Sequence, residues 1–294
     1  MALVANAGTS VSNSFVTMFS DDVKQAYQQT SSNLVDAVRV VRNVTGSTYK
    51  FHKLSKGGSI KNKARFEDIT AMSDTSKSFA GSGAYTGGTA QNSTVTTTLN
   101  NYHSGEYIDD MDQFKTNIDL RNTFAQAIAA GLNRAVDQEI VDALEASSPT
   151  TDIAAGSGLT KAKFLEVHEA MNDLSIPTND RCIIISPQAL TDLLTDSNLV
   201  TAADGLVSNT ALTSGYIPNV FGFRVILSNL LTKNSVVRNC YALHKDAVGL
   251  ALASDIQTRI DYVPQKASSL VLGTMSGGAT VIDADGVVQV QVTE

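Results

Sequence analysis

Residues 45–69 read TGSTYKFHKLSKGGSIKNKARFEDI, and what this stretch lies against decides the fold. Six of the chain's 22 Lys and Arg residues fall between positions 50 and 65, with no Asp or Glu among them, although the whole chain carries a net charge of −7. Tyr49, Phe51 and Lys53 alternate with Thr48, Lys50 and His52, and beyond Ser55–Ser59 the pattern resumes through Ile60, Ala64, Phe66 and Ile69. Two such arms around Gly57-Gly58 predict a β-hairpin. Nine residues per arm at about 3.3 Å each would project it roughly 30 Å. With so few large apolar residues near its tip, this hairpin cannot pack on its own domain throughout. It needs something else to lie on.

On the N-terminal side, Phe15, Met18, Phe19, Val23, Ala26 and Tyr27 recur at helical spacing and predict a short amphipathic helix in an otherwise polar arm. Leu34 to Val44, rich in valine, favours a strand. On the other side, residues 70–92 are Ser/Gly/Thr-rich and predict a mobile loop. STVTTTLNNYHSGEYID (93–109) reads as one long β-branched strand. Thr116-Asn117-Ile118-Asp119 fits a capping pattern that opens the longest helix, running to about Ser147 on a stripe of Phe124, Ile128, Leu132, Val136, Ile140 and Leu144.

After the linker SSPTTDIAAGSG, an α/β region begins at Thr160. A helix carries Phe164, Val167, His168, Met171 and Leu174. CIIIS follows as a strand, and Ser186-Pro187 caps the next helix. CYALHKDAVGLALA, DIQTRIDYV and ASSLVLGTM are strand-like, and Asp285-Gly286 predicts a hairpin in VIDADGVVQVQV.

Composition excludes several function classes. The chain is 43% hydrophobic, enough for a core, but only 17% charged, so much of its surface is expected to be covered by partners. An acidic balance argues against wholesale DNA wrapping, which needs a surplus of Lys and Arg. No run approaches the roughly 18 apolar residues of a membrane span, and MALVANAGTSVSNSFV lacks the basic n-region of a signal peptide. GSGAYTGG (81–88) follows no clear strand and opens no helix, so it lacks the setting of a dinucleotide loop. The four histidines are scattered; His168, on an apolar helix face, reads as a satisfied core or interface residue. Cys182 and Cys240 read as small buried hydrophobes. Asp109, Asp110 and Asp112 form the dense carboxylate cluster, either a solvated turn or a weak cation site. No nucleophile–base pair is evident, so the expectation is a protein that is not an enzyme and uses no cofactor.

The order of elements resembles the major capsid proteins of tailed bacteriophages, the Hong Kong 97-type fold. TGSTYKFHKLSKG after a valine-rich strand is similar to the start of that family's extended loop. RCIIISPQALTDLL, IPNVFGFRVILSNLL and YALHKDAVGLALA are similar to segments of its axial domain. The resemblance implies an α+β fold with an N-terminal arm and first strand at 1–45, an extended β-hairpin loop at 46–92 and a peripheral domain with a long spine helix at 93–154. An axial α/β domain at 155–250 and strands returning to the peripheral domain at 251–294 complete it.

It further implies non-enzymatic self-assembly into hexamers and pentamers of an icosahedral shell around double-stranded DNA, in the host cytoplasm. The expected partners are further copies of the chain, a portal, and packaged DNA held without sequence specificity on the inner face, with no membrane. No coiled coil precedes the arm, which implies a separate scaffolding protein or prior processing. The family's isopeptide cross-link joins a loop lysine to a peripheral asparagine; the last asparagine here is Asn239, so no acceptor follows.

The basic hairpin is then expected to lie across a neighbouring subunit. Lys50, Lys53, Lys56, Lys61, Lys63 and Arg65 would face Glu106, Asp109, Asp110 and Asp112 of that neighbour. Two other readings stay open at this stage: a tail, decoration or surface-array component, and a nucleic-acid module using Tyr49, Phe51 and Phe66 for stacking.

Overall fold

The computed structural model describes residues 29–54, 65, 92–115, 119–147, 149, 151–195, 217 and 219–294. The helix predicted over 15–27, the second arm of the hairpin apart from Arg65, and nearly all of the Ser/Gly-rich stretch lie outside the described residues. In chain order the first elements are β1 (Arg39–Arg42), β2 (Thr48–Leu54), β3 (Asn92–Thr98), β4 (Asn100–Asp109), α1 (Asp110–Lys115) and α2 (Leu120–Ala146). Next come β5 (Thr151–Ile153), α3 (Lys161–Asp173), β6 (Arg181–Ile185), α4 (Pro187–Thr195), β7 (Asn219–Val220) and β8 (Phe223–Leu227). The rest are β9 (Lys233–Asn234), β10 (Val237–His244), β11 (Val248–Val263), β12 (Ser268–Val281) and β13 (Val287–Thr293).

One sheet runs β1–β11–β12–β4, with β1 parallel to β11 and the other pairs antiparallel. A second, mixed sheet runs β5–β13–β10–β6–β8–β7, with β9 on β10. Within it β6 lies between β10 and β8 and is buried along its whole length, which is why CIII reads as a continuous apolar run rather than an alternation. Ser186 Oγ accepts from the Ala189 amide at 3.0 Å and so caps α4, as expected.

The spine helix α2 has 27 residues, about 40 Å at 1.5 Å per residue. Ile128, Leu132, Val136, Ile140, Val141 and Leu144 are buried against the first sheet and the core shared with the second. Each such side chain contributes about 1.5–3 kcal/mol on burial. The helix opens three residues later than Thr116 predicts. Asp119 is the N-cap, its carboxylate accepting from the Asn122 amide at 3.3 Å, while Asp110–Lys115 forms a separate short helix.

Four other expectations are corrected. Leu34–Val44 is not one strand: a 3-10 turn at Val35–Ala37 precedes β1, because a carboxylate from α2 binds the backbone just before it. Residues 93–109 divide at Leu99, whose side chain is buried and whose amide donates to Ser47 O at 2.9 Å. CYALHKDAVGLALA divides at the 3-10 turn Lys245–Ala247, where the chain crosses from the second sheet to the first. Asp285-Gly286 is the reverse crossing rather than a hairpin, so β13 joins β10 and β5 and the C-terminal strands are shared between the two sheets. Ala247 O accepts from both Ile282 N (2.7 Å) and Asp283 N (3.1 Å), holding the two crossings side by side.

Candidate subunit-contact surface

The first arm of the basic stretch, β2, pairs antiparallel with β3, from Thr48↔Thr98 to Leu54↔Asn92. Phe51 is the buried anchor of this ribbon, packing with Val44, Leu99, Ala251 and Ile282. A Cβ on Gly249 would fall 2.5 Å from the Phe51 ring, and one on Gly278 would fall 2.1 Å from Thr98 O. Glycine at these two positions is what lets the ribbon sit directly on β11 and β12.

The alternation then turns Thr48, Lys50 and His52 outward, opposite Thr94, Thr96 and Thr98 on β3. Lys50 and Arg65 are exposed. Lys53 is engaged within its own subunit, its Nζ 2.7 Å from Asp283 Oδ1. Lys56, Lys61 and Lys63 lie outside the described residues.

The four acidic candidates come together at the far end of β4. Glu106 and Asp109 are exposed, and Asp109 Oδ1 accepts from the Met111 amide at 2.7 Å. Asp110 is half-buried at the start of α1, and Asp112 pairs with Lys115 at 3.2 Å. The ribbon joins the sheet at the opposite end of β4, next to Asn100. Ten residues of strand at about 3.3 Å separate the two ends by roughly 30 Å.

Sequence reasoning missed an apolar component of the acidic end. Tyr107, Met111, Ile260 and Tyr262 are 45–65% exposed there, with Lys266 Nζ lying 3.6 Å from the Tyr107 ring centroid. The alternation in DIQTRIDYV signals a strand with one covered face, yet Gln257–Tyr262 is exposed throughout.

Also missed were three ionisable groups that fasten the chain. Asp137, on α2 and 1% exposed, accepts from the Asn33 and Leu34 amides (3.0 and 3.1 Å), Gln29 Nε2 and Ser32 Oγ. Arg181 donates to Pro177 O, Ile176 O and Asn172 Oδ1 and closes the turn between α3 and β6. Lys163, whose ammonium burial pushes below its ordinary value, donates to Ser157 O and Gln291 O. Sequence periodicity marks none of them, because each is a polar residue whose partners lie on other elements.

Burial pushes the thiols of Cys182 and Cys240 up to about 12 and about 11, so neither is a nucleophile near neutral pH. His168 Nδ1 lies 3.0 Å from Asn172 Nδ2 on α3, with its ring edge-on to Phe223. Among the described residues no group of three or more His, Cys, Asp or Glu is placed to hold a metal ion, and no helix is long and apolar enough to cross a membrane.

The ribbon β2–β3 thus lies at one end of the first sheet, and exposed acidic and apolar side chains lie at the other. The family model for phage capsid protein matches residues 11–294, and the chain belongs to that family. Among solved structures it is similar to that of Mycobacterium phage Che8, at 16% identity over 95% of this chain and 97% of the other, with a TM-score of 0.71. The capsid structure of the cyanophage P-SCSP1u superposes at a TM-score of 0.73, at 17% identity over 98% and 96% of the two chains. The mature capsid of bacteriophage PhiM1 does so at 0.68, at 13% identity over 95% and 92%. None of the curated proteins matches the sequence. The fold is the α+β Hong Kong 97 type, and the chain is a phage capsid protein.

Proposed function

We propose that this subunit assembles without enzymatic activity, its basic ribbon docking on the acidic end of the first sheet in a neighbouring copy. Lys50, Lys56, Lys61, Lys63 and Arg65 are the basic side of this contact, with Lys53 at its root; Glu106, Asp109, Asp110 and Asp112 are the acidic side. The observation that carries the reading is the roughly 30 Å of β4 between the two ends. A ribbon that meets the sheet beside Asn100 starts at the far end of β4 from Glu106, Asp109, Asp110 and Asp112 of its own subunit, which favours their pairing with the ribbon of another copy. Exposed Tyr107, Met111, Ile260 and Tyr262 supply apolar area beside the carboxylates.

Each exposed pair contributes only about 0–1 kcal/mol and is screened by salt. Repetition over every interface of hexamers and pentamers is what turns such pairs into registration of a shell. The reading includes a separate scaffolding protein and a portal, assembly in the host cytoplasm, DNA held on the inner face without sequence specificity, and a shell with no isopeptide bonds.

Reversing Lys61 and Lys63 to Glu tests the docking. Assembly yield at low salt, read by electron microscopy and sedimentation, is expected to fall, and adding Asp109→Lys and Asp110→Lys is expected to restore part of it. Normal assembly of both single-side reversals at low salt would sink the reading.

A further inference from the structure

The first sheet loses one of its strands before it ends. β12 pairs with β4 only as far as Gly277↔Asn100, because the chain bends at Leu99 and β3 pairs with β2 instead, while still lying against β12. Ala279, two residues further along β12, remains opposite Leu250 of β11. Its carbonyl accepts from Thr97 Oγ1 at 3.1 Å, so β3 stays tied to β12 beyond the bend. Glu139 of α2 lies beside this point. Its carboxylate accepts from Asn100 Nδ2 at 3.2 Å and from the Tyr102 hydroxyl. One half-buried side chain thus gathers two donors from the first residues of β4 beyond the bend. A helix interior facing a sheet needs no carboxylate there for packing, and leaving one costs desolvation.

We propose that Glu139 is the positioning residue of the extended ribbon: it holds Asn100 and Tyr102, the first residues of β4 beyond the bend at Leu99, and so sets where and at what angle β2–β3 meets the sheet. The inference concerns how one subunit presents its ribbon and stands whatever surface receives it.

The junction has a pH signature that a merely structural contact between neutral groups lacks. Burial pushes the Glu139 carboxyl above its ordinary value; Asn100 pulls it down, Asp142 pushes it up, and the Ala279 amide pulls it down, with a net rise. The titratable groups facing it are Tyr102 on β4 and Asp142 on α2; β3 and Gly277–Val281 carry none. Lys53 of β2 lines the adjoining cavity, where Asp283 engages it. Opening the junction returns Glu139 to water, so the closed junction binds its proton more tightly. The added protection is complete below about pH 4.3 and is lost as pH rises through the raised value.

Hydrogen exchange of the full chain, followed by mass spectrometry, tests this in the wild type, Glu139→Ala and Glu139→Gln. Glu139→Ala is expected to speed exchange at Thr48–Leu54 and Asn92–Asn100 by about tenfold while α3 and β6 stay as in the wild type. Corrected for intrinsic rates, the wild-type ribbon base is expected to gain protection as pH falls through the raised Glu139 value toward about pH 4.3, and Glu139→Gln to keep its protection but lose the pH dependence. Exchange within about twofold of wild type in Glu139→Ala overturns the proposal, as does an even rise across both sheets. Should Glu139→Ala fail to fold, Glu139→Gln decides alone, and a pH dependence equal to wild type overturns it.

Discussion

Lys53 and Asp283 form an ion pair 2.7 Å long, 230 residues apart in sequence, that fastens the root of the ribbon to the turn where the chain crosses between the sheets. Asp283 is already committed to that turn, its Oδ1 accepting from the Asp285 amide at 3.2 Å. Lys53 is thus held within its own subunit, whereas Lys50 and Arg65 are exposed. Both partners are about a third exposed, so the pair is worth about 0–1 kcal/mol. Lys53→Met is expected to lower subunit stability by no more than that in urea unfolding, and to leave the salt dependence of assembly unchanged. Lys50→Glu is expected to shift the salt dependence. Equal effects of the two substitutions would contradict this division of roles.

Asp137 holds the entry of the chain onto the spine helix with two backbone amides and two side-chain donors, while itself buried. Asp137→Ala leaves those donors without an acceptor. A loss of about 2–4 kcal/mol in subunit stability is expected, with exchange rising first at residues 33–38. Asp137→Asn keeps one acceptor oxygen and is expected to lose less. A change below about 0.5 kcal/mol for the alanine variant would show that the segment is held by other contacts.

Glu294 titrates in the opposite sense to Glu139. Burial pushes its carboxyl up, but the Ser186 hydroxyl, the Arg238 guanidinium and the Lys233 ammonium outweigh burial and hold it below the ordinary value. The unfolded chain then takes up the proton first as pH falls. This contribution is full above about pH 4.3 and disappears as pH drops through the depressed folded value. Acid-unfolding curves of Glu294→Gln are expected to be flatter than wild type in that window, with Arg238→Met behaving alike. Superimposable curves would show that the cluster does not couple to folding.

The two thiols are inert for the same physical reason, burial in apolar strands. Cys182 and Cys240 are expected to resist a maleimide at about pH 8 in the folded subunit and both to react in denaturant. Stoichiometric labelling of the native protein would place at least one of them at the surface.

How much of this was legible beforehand follows from which interactions are local. The stripe through Ile128, Leu132, Val136, Ile140 and Leu144, the buried run CIII and the Ser186 cap depend on spacing within one element, and each stands in the structure as the spacing predicts. The partner of β2 was not legible. β3 begins 38 positions beyond the end of β2, and pairing over that span is set by where Phe51 and Thr98 meet Gly249 and Gly278. The break at Leu99 and the crossing at Asp285-Gly286 escaped for the same reason, since a β-branched run and an Asp-Gly pair look alike in a hairpin and in a crossover. At the acidic end of β4 the carboxylates were legible and the apolar residues beside them were not: Ile260 and Tyr262 carry the alternation of a covered strand face, but no described residue covers them.

The central claim, that the basic ribbon of one subunit lies on the acidic end of the next, is tested most directly by electron cryo-microscopy of assembled particles at side-chain resolution. The account predicts β2–β3 reaching across the subunit boundary, with at least two of Lys50, Lys56, Lys61, Lys63 and Arg65 within about 4 Å of Glu106, Asp109, Asp110 or Asp112 of the neighbour. A ribbon folded back on its own subunit, or one whose basic residues meet no carboxylate of an adjacent copy, would contradict it.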